Sequence, residues 1–333
     1  MTMRPRIKLI PSWLRLISKI TLQLVFFFAL ILRAQPALAY CQATSCSSDP
    51  ECRRNRETGC TTSGIPLSWR RGCIGFAVGG QGSPKTGISS DVLATVTQDA
   101  IEIWGGVSCG DESISLSLKY SGPVSCEQAG YQPAAGNANI ISFVDEGWAY
   151  TSNQDDGASS SDNLGHTELT YDLATGELVD TDIELNSEDA VFSTEPNETE
   201  YDLLTVVLHE MGHALGLDHS QVSGSVMQAR SGPGELRHQL HPDDRAGVCA
   251  LYGGFREEGS CVPDGGLAND CAGQEILLPG DVSGKTEVAG CSFGLGPVRH
   301  NGAVLVSLLF LLCLAVWNRF CLGKEQDSFD VEK

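Results

Sequence analysis

The chain has 333 residues, of which 42 are acidic and 22 are basic, and its formal net charge is −20. An acidic chain of this kind has no attraction for a phosphate backbone, so nucleic acid is not expected as a partner. The length would accommodate two domains, but both ends carry segments that are typical of export and membrane attachment.

Residues 1–39 have the three parts of a secretory signal peptide. Basic side chains come first, an apolar run covers 20–32, and the sequence Ala37-Leu38-Ala39 precedes a predicted cut before Tyr40. An uncleaved membrane anchor is the alternative interpretation. The chain that follows is predicted to be exported.

Thirteen cysteines lie in the sequence, and no pair of Cys-x-x-Cys motifs occurs among them. Behind an export signal, such cysteines predict disulfides rather than thiolate metal sites. A cysteine-rich N-terminal segment is assigned to residues 40–58 and a single domain to residues 59–254. The sequence does not determine the pairing, although a bond between Cys109 and Cys126 is one hypothesis.

The domain begins with strand and helix signals. The predicted strands share short apolar or alternating runs, and they lie at 65–69, 75–78, 113–120 and 139–144. Residues 90–104 place apolar side chains on one helical stripe, which is typical of a helix packed on a core. Trp69 is expected to lie in that core.

A hairpin is predicted next, with strands at 167–171 and 178–185 around a turn at 175–176. His166, just before the first of these strands, is interpreted as a loop residue. The segment 201–208 is apolar at helical spacing and contains neither Pro nor Gly, so a helix is predicted there.

That helix is predicted to continue through His209 and His213, which are four residues apart and therefore share one helical face. Both imidazoles can then reach one metal ion. Gly216 is the residue best able to leave the helix through a left-handed conformation. The resulting bend would bring His219 back as a third ligand.

Three protein ligands are typical of a catalytic zinc, because a fourth position stays open for water. Zinc lowers the pKa of that water to about 7, and Glu210, beside the first ligand, is placed to act as its general base. A buried amphipathic helix with hydrogen-bonded histidines is the alternative. That alternative requires neither the glycine nor the third histidine.

The extended pattern His-Glu-x-x-His-x-x-Gly-x-x-His resembles that of the metzincin zinc peptidases. Because Ser220 directly follows the last histidine, the pattern most resembles that of the matrixin branch, the matrix-metalloproteinase-like enzymes. The resemblance implies an α+β fold with a twisted mixed sheet, an active-site helix and a C-terminal helix. It also implies a methionine turn beneath the metal, which Met227 matches, whereas Gln228 and Ala229 depart from the proline that often follows this methionine in the family.

Two further segments fit the same resemblance. Residues 241–253 look like the closing helix of matrixin domains, with Pro242 suited to the first turn and Gly253 to the end. Residues 181–186 resemble the edge strand that lines the matrixin substrate cleft. An extended polypeptide would bind there by adding itself to the sheet as another strand.

The resemblance also implies structural calcium. Calcium prefers oxygen ligands, and acidic side chains at 145–146, 155–156, 162 and 180–184 would supply them. Taken singly, such acidic pairs are also typical of solvated loops. No Pro-Arg-Cys-Gly segment of the kind that keeps matrix metalloproteinases latent is found before the domain, so no activation mechanism is predicted.

The C-terminal part is predicted to attach the protein to a membrane. Residues 255–301 are interpreted as a glycine- and cysteine-containing linker or stalk, 302–318 as a transmembrane or sorting helix, and 319–333 as a cytoplasmic tail. Cys291 ahead of the span resembles the myxo-type surface-sorting tails, in which the tail is processed. The protein is then expected at the cell surface, or outside the cell after processing.

The predicted function is that of an exported zinc metalloendopeptidase that cleaves extended polypeptides. The alternative is a surface binding or adhesion protein that keeps a metzincin fold and does not cleave. A third possibility is a zinc ion that only stabilises the fold. The sequence does not indicate an oligomeric state.

Overall fold

The structure is a computed structural model, and it describes residues 39–46, 52–125, 130–131, 136–150, 163–256, 259–262 and 283–289. The predicted signal peptide up to residue 38, the predicted span and tail at 302–333, and Cys126 and Cys291 lie outside the described residues. Within the described ranges, no helix has the length and apolar character needed to cross a membrane.

The described residues form twelve strands, several of them only two residues long, and three helices. In chain order the strands are β1 (Cys41–Gln42), β2 (Cys73–Gly79), β3 (Ser108–Cys109), β4 (Glu112–Ser113), β5 (Ser117–Val124), β6 (Asn139–Val144), β7 (Gly165–Asp172), β8 (Leu178–Asn186), β9 (Phe192–Ser193), β10 (Tyr201–Asp202), β11 (Leu217–Asp218) and β12 (Ser283–Ala289). The helices are α1 (Ser90–Gly105), α2 (Leu203–Ala214) and α3 (Pro242–Tyr252).

The principal sheet has six strands in the order β12-β7-β8-β6-β2-β5. Strands β5, β2, β6 and β8 pair in parallel, whereas β7 is antiparallel to both β8 and β12. A mixed sheet with few helices is the α+β architecture that the resemblance implied, and this prediction is confirmed. Strand β7, which runs antiparallel to β8, lies beside the helix that carries the histidines.

The hydrophobic core lies between the sheet and helices α1 and α2. Helix α1 begins where the Ser89 hydroxyl accepts a hydrogen bond from the backbone N–H of Val92. Its buried face includes Leu93, Ala100 and Trp104, so the helix predicted at 90–104 is confirmed. Trp69 is also buried in this core, as predicted.

The expectation for 65–69 was wrong, because this segment makes only isolated bridges, from Pro66 to Thr44 and from Ser68 to Glu177. Its backbone makes hydrogen bonds with Ala43 and with the start of β8, and Leu67 is buried. The predicted strand at 113–120 is divided between β4 and β5, with the buried Ile114 lying between them.

The hairpin of β7 and β8 is confirmed, but two expectations about it were wrong. His166 is a buried strand residue and not a loop residue, because the pairing with β8 extends back to Gly165. Residues 181–186 do not form a sheet edge, since β8 has β6 on one side and β7 on the other. Within the hairpin, β7 lies on the outer side of β8, and β12 in turn pairs with the outer side of β7.

Four disulfides are present among the described residues. Two of them close the N-terminal segment, one ties β2 to the chain after α3, and one ties β3 to α3; they are Cys41–Cys60, Cys46–Cys52, Cys73–Cys261 and Cys109–Cys249. The hypothesis that Cys109 bonds Cys126 was therefore wrong. The β3–β4 hairpin brings Cys109 against α3, although 140 residues separate it from Cys249 in the chain.

Candidate metal centre

Helix α2 carries two of the three histidines and is buried along most of its length. It begins at Asp202, whose Oδ1 atom accepts a hydrogen bond of 2.7 Å from the backbone N–H of Thr205. Because the helix packs against both the sheet and α1, nearly every position is apolar or engaged in the site. The helix predicted from 201–208 is confirmed, with β10 occupying its first two residues.

Three large side chains fix the C-terminal half of α2 by donating to its backbone carbonyls. The indole Nε1–H of Trp104 donates to Leu208 O at 3.0 Å, and that of Trp69 donates to Ala214 O at 2.8 Å. The hydroxyl of Tyr252 donates to Leu215 O at 2.6 Å. Ala214 and Leu215 lie at the helix end, where carbonyls lack partners within the helix, and the last two hydrogen bonds satisfy them.

The bend after the helix occurs at Gly216, which has a φ of +88°. Only glycine adopts this left-handed conformation without steric cost, and a Cβ atom there would lie 2.8 Å from the carbonyl oxygen of Leu67. The chain then turns into β11, which pairs with β1. This turn brings His219 back towards α2.

The structure brings the Nε2 atoms of His209, His213 and His219 into one triangle. The distances are 3.1 Å between His209 and His213, 3.2 Å between His209 and His219, and 3.3 Å between His213 and His219. Ligand nitrogens in a tetrahedral zinc site, with bonds of about 2.0–2.1 Å, are about 3.3 Å apart. The three side chains therefore fit a zinc ion.

The opposite ring nitrogens show which tautomer the site selects. Nδ1 of His209 lies 2.7 Å from Val226 O, and Nδ1 of His213 lies 2.8 Å from Leu217 O. Because a carbonyl oxygen only accepts, each Nδ1 must carry the hydrogen, which leaves the Nε2 lone pair directed into the triangle. Converging lone pairs repel one another unless a cation lies between them.

Burial keeps these imidazoles neutral. Loss of solvation, followed by the neighbouring His219, lowers the pKa of His213 to about 3. Burial, with a further contribution from Arg54, lowers the pKa of His219 to about 4, and burial also holds the pKa of His209 well below its ordinary value. The neutral imidazole is the form that binds a metal ion.

The predicted general base, Glu210, and the predicted methionine, Met227, contact different parts of the structure around the histidines. Glu210 has no exposed surface, and its Oε2 atom accepts a 2.7 Å hydrogen bond from the Thr167 hydroxyl of β7. Met227 packs against Gly212 so closely that a Cβ atom on that glycine would lie 2.2 Å from the methionine sulfur. Gly212 thus allows the methionine turn to lie directly under the ligand helix.

Sequence reasoning assigned the start of α3 only a capping role, and His241 is indeed its N-cap. The structure adds a second role for Asp244, whose carboxylate accepts hydrogen bonds from the backbone N–H groups of Val226 and Met227 at 2.9 and 3.1 Å. The methionine turn is thereby tied to α3. An acidic pair after a capping residue was the available signal, but capping alone accounted for it.

Sequence reasoning also missed Arg237, which is buried and holds the loop after the methionine. Its guanidinium donates to Ser225 O and Gln228 O at 3.4 Å each and to Arg230 O at 2.6 Å. It forms an ion pair of 2.8 Å with Glu235. These contacts shape the loop in which this chain lacks the expected proline.

His166 lies away from the three histidines of the triangle, on the other face of β7. Its ring stacks on Tyr150 with centroids 3.6 Å apart, and its buried Nε2 atom has no hydrogen-bond partner among the described residues. Burial, followed by His213, lowers its pKa to about 4. It is not a fourth member of the triangle.

Comparisons with known proteins agree with this geometry. The matrixin family profile matches residues 130–253, which include α2, β11 and α3. This part of the chain therefore resembles a matrixin domain. The metzincin assignment made from the histidine pattern is therefore confirmed.

The relatives of the metzincin domain are metalloproteinases from animals and plants. The chain is 35% identical over 120 residues to matrix metalloproteinase-19 of Homo sapiens, which covers 36% of this chain and 21% of that protein. It is 42% identical over 59 residues to metalloendoproteinase 5-MMP of Arabidopsis thaliana, which covers 18% of this chain and 16% of that protein. The chain thus spans about a fifth or less of the length of these relatives, and the likeness supports a metalloprotease at the level of the family.

Proposed function

We propose that this chain is a zinc metalloendopeptidase that hydrolyses peptide bonds in extended polypeptides. The observation that carries the proposal is the triangle of Nε2 atoms, 3.1 to 3.3 Å on a side, with a buried carboxylate on the same helix. His209, His213 and His219 would hold the zinc ion. Met227 would support the ligand helix from below.

The chemistry divides between the metal and one side chain. A zinc ion bound there supplies Lewis acidity and a water molecule with a pKa of about 7. Glu210 would accept a proton from that water and later deliver a proton to the leaving amine. Its burial beside the ligands keeps the carboxylate in place between the two transfers.

The outer edge of β7 is the part of the sheet that suits a peptide substrate. Gly165, at the start of β7, lies directly against the Glu210 carboxylate. A peptide added along β7 would pass the general base, with backbone hydrogen bonds providing affinity. In the structure, β12 pairs with residues 166–172 of this edge, so a substrate that uses all of β7 has to replace β12.

We also propose that the domain is exported. Four disulfides among the described residues are typical of an oxidising compartment. The assignment of 1–39 as a signal peptide, 40–58 as a cysteine-rich segment, 59–254 as the peptidase domain, 255–301 as a stalk, 302–318 as a sorting or membrane helix and 319–333 as a tail stays part of this proposal. Surface anchoring and release after processing are both compatible with it.

Structural calcium stays a prediction of the same proposal. Asp145 and Glu146, at the end of β6, line one cavity together with Glu168 and Glu184 of the hairpin. A buried neighbour, Asp182, has its pKa raised to about 7 by burial and then by the two glutamates. Added positive charge would relieve this repulsion between carboxylates.

The proposal is tested with the full chain and the variant Glu210→Ala. We expect both proteins to bind zinc, and we expect the variant to hydrolyse casein about 10²- to 10⁴-fold more slowly, which is the usual contribution of general acid–base catalysis. A chelator should abolish wild-type hydrolysis, and added zinc should restore it. Full activity of the variant would refute the role of Glu210.

The alternative binding protein makes a different prediction for the same experiment. Zinc-loaded wild type would then retain its metal and show no hydrolysis of casein or of unstructured peptides. A zinc ion that only stabilises the fold would give the same result and would also leave the protein unaffected by hydroxamates. Either result would remove the peptidase proposal.

A further inference from the structure

The carboxylate of Glu210 lies against the inner face of strand β7. The Thr167 hydroxyl is 2.7 Å from Glu210 Oε2 and 3.2 Å from the backbone oxygen of the same residue. Both side chains are fully buried. A buried carboxylate is costly unless donors satisfy it, and hydrogen bonds to an ionised acceptor are the stronger ones. The threonine hydroxyl therefore helps to hold this carboxylate in place.

A second residue of β7 restricts the carboxylate from its other side. A Cβ atom on Gly165 would lie 2.8 Å from Glu210 Oε1 and 2.9 Å from Cδ, closer than van der Waals contact allows. Residues two apart on a strand point to the same face, so Gly165 and Thr167 both face Glu210. The glycine gives the carboxylate room, and the threonine holds it.

We propose that Thr167 is a positioning residue for the general base. Its hydroxyl holds Oε2 and so maintains the carboxylate in one orientation beside the metal ligands. This inference rests on the proposed peptidase function, because it assigns a role in the step that Glu210 performs. The Thr167 side chain contacts Glu210, whereas a peptide on β7 would pair with the strand backbone, so loss of the hydroxyl should reduce kcat and leave KM nearly unchanged.

The variant Thr167→Val tests this, because it replaces the hydroxyl with a methyl group of similar size. We expect kcat to fall about 10- to 100-fold, as for the loss of one hydrogen bond to a charged group. KM should stay within about twofold, and zinc content should not change, since no ligand is altered. Thr167→Ser, which keeps the hydroxyl, should recover most of kcat.

Thr181→Val is the matched control. Thr181 lies on the neighbouring strand β8, is buried, and its hydroxyl has no hydrogen-bond partner among the described residues. The same chemical change there removes no contact to Glu210, so kcat should be that of wild type. An equal loss of kcat in the Thr167 and Thr181 variants would reveal a general packing effect and overturn the inference.

A measurement that does not depend on activity is the thermal unfolding of the zinc-loaded full chain. Thr167→Val should lower the midpoint by a few degrees in wild type and cause no further loss in the Glu210→Ala background, because the partner is already absent. Additive losses would show that the two side chains do not interact. An undiminished kcat in Thr167→Val, or no recovery in Thr167→Ser, would likewise overturn the inference.

The outcomes also separate this inference from the function on which it rests. If zinc-loaded wild type hydrolyses nothing, the proposed function fails, whatever the unfolding data show. If wild type is active and Glu210→Ala is inactive while Thr167→Val equals wild type, only the role of Thr167 fails.

Discussion

The two sides of the proposed metal centre are held by different kinds of contact. On the ligand side, His213 donates to a carbonyl four residues along the chain and His209 to one 17 residues along. On the strand side, Glu210 is held by Thr167, which is 43 residues away and belongs to the sheet. The arrangement of the proposed ligands therefore depends mainly on the local chain, whereas that of the proposed general base depends on how the sheet is assembled.

This difference has a consequence for how the site can fail. A change in the hairpin of β7 and β8 could displace the carboxylate while the three imidazoles stay together, which would give a protein that binds zinc and cleaves poorly. A change in the methionine turn would instead weaken zinc binding first, because this turn contacts the helix and the histidine that hold the metal in the proposed site. Variants on each side can therefore be told apart by measuring zinc affinity and turnover separately.

The largest effect is expected on the strand side, from His166 and pH. Its pKa is lowered to about 4 in the folded protein by burial, against about 6.5 in the unfolded chain. The unfolded state then binds more protons between these values, so stability is complete above pH 6.5 and falls as the pH drops towards 4. The loss attributable to His166 is about 3 kcal/mol.

Urea unfolding at several pH values measures this loss. The variant His166→Gln should show a shallower decline between pH 6.5 and pH 4 than wild type, while zinc affinity at pH 7.5 stays unchanged because the three ligands are intact. An identical pH dependence in both proteins would show that His166 is not a buried neutral group. A changed zinc affinity would show that the strand side and the ligand side are not independent.

A somewhat smaller effect is expected on the ligand side, from Asp244→Asn. The carboxylate accepts from the N–H groups of Val226 and Met227, and the Val226 carbonyl in turn accepts from His209. Outer partners of metal ligands typically affect metal affinity by about 10- to 100-fold. Competition with a chromogenic chelator should therefore show weaker zinc binding by a factor in this range.

The control for that prediction is Asp99→Asn on the exposed face of α1, which removes one negative charge outside the methionine turn. Its zinc affinity should match that of wild type. If Asp244→Asn kept full zinc affinity but lost turnover, the ligand side would not be a locally held unit, and the comparison drawn above would have to be abandoned.

The smallest effect is expected from β12, which pairs with the outer edge of β7. The double variant Thr286→Pro with Val288→Pro removes backbone donors and should release this strand. Tethered segments compete at effective concentrations of about millimolar, so a weakly bound strand should raise KM by about two- to tenfold. We expect the proline variant to have a lower KM by that factor and an unchanged kcat in peptide hydrolysis.

The alanine variant at the same two positions is the matched control for β12. Alanine keeps the backbone N–H groups, so pairing and KM should both be preserved. Adding a synthetic peptide with the sequence of residues 283–289 to the proline variant should raise KM again. If the proline and alanine variants behave alike, substrates do not use the part of β7 that β12 covers.

The ligand side was largely predictable from the sequence. Four-residue spacing on a helix fixes the relation of His209 and His213, and Gly216 marks the bend that returns His219. The strand side was not predictable in the same way. The edge position of 181–186 was inferred from a resemblance of sequence, which does not say on which side of this strand the other half of the hairpin lies, and the edge was therefore assigned to the wrong strand.

By itself, the sequence predicted the three histidines and the helix that carries two of them, because these depend on helical geometry and on one glycine over a short stretch of chain, and the resemblance to the matrixins implied the methionine turn. Only the tertiary structure decided that Thr167 and Gly165 enclose the carboxylate, that Cys109 bonds Cys249, and that β12 covers the outer edge of β7. The reason is physical. Such contacts join residues far apart in the chain, and they depend on strand order and on a register in which a shift of one residue turns each side chain to the other face.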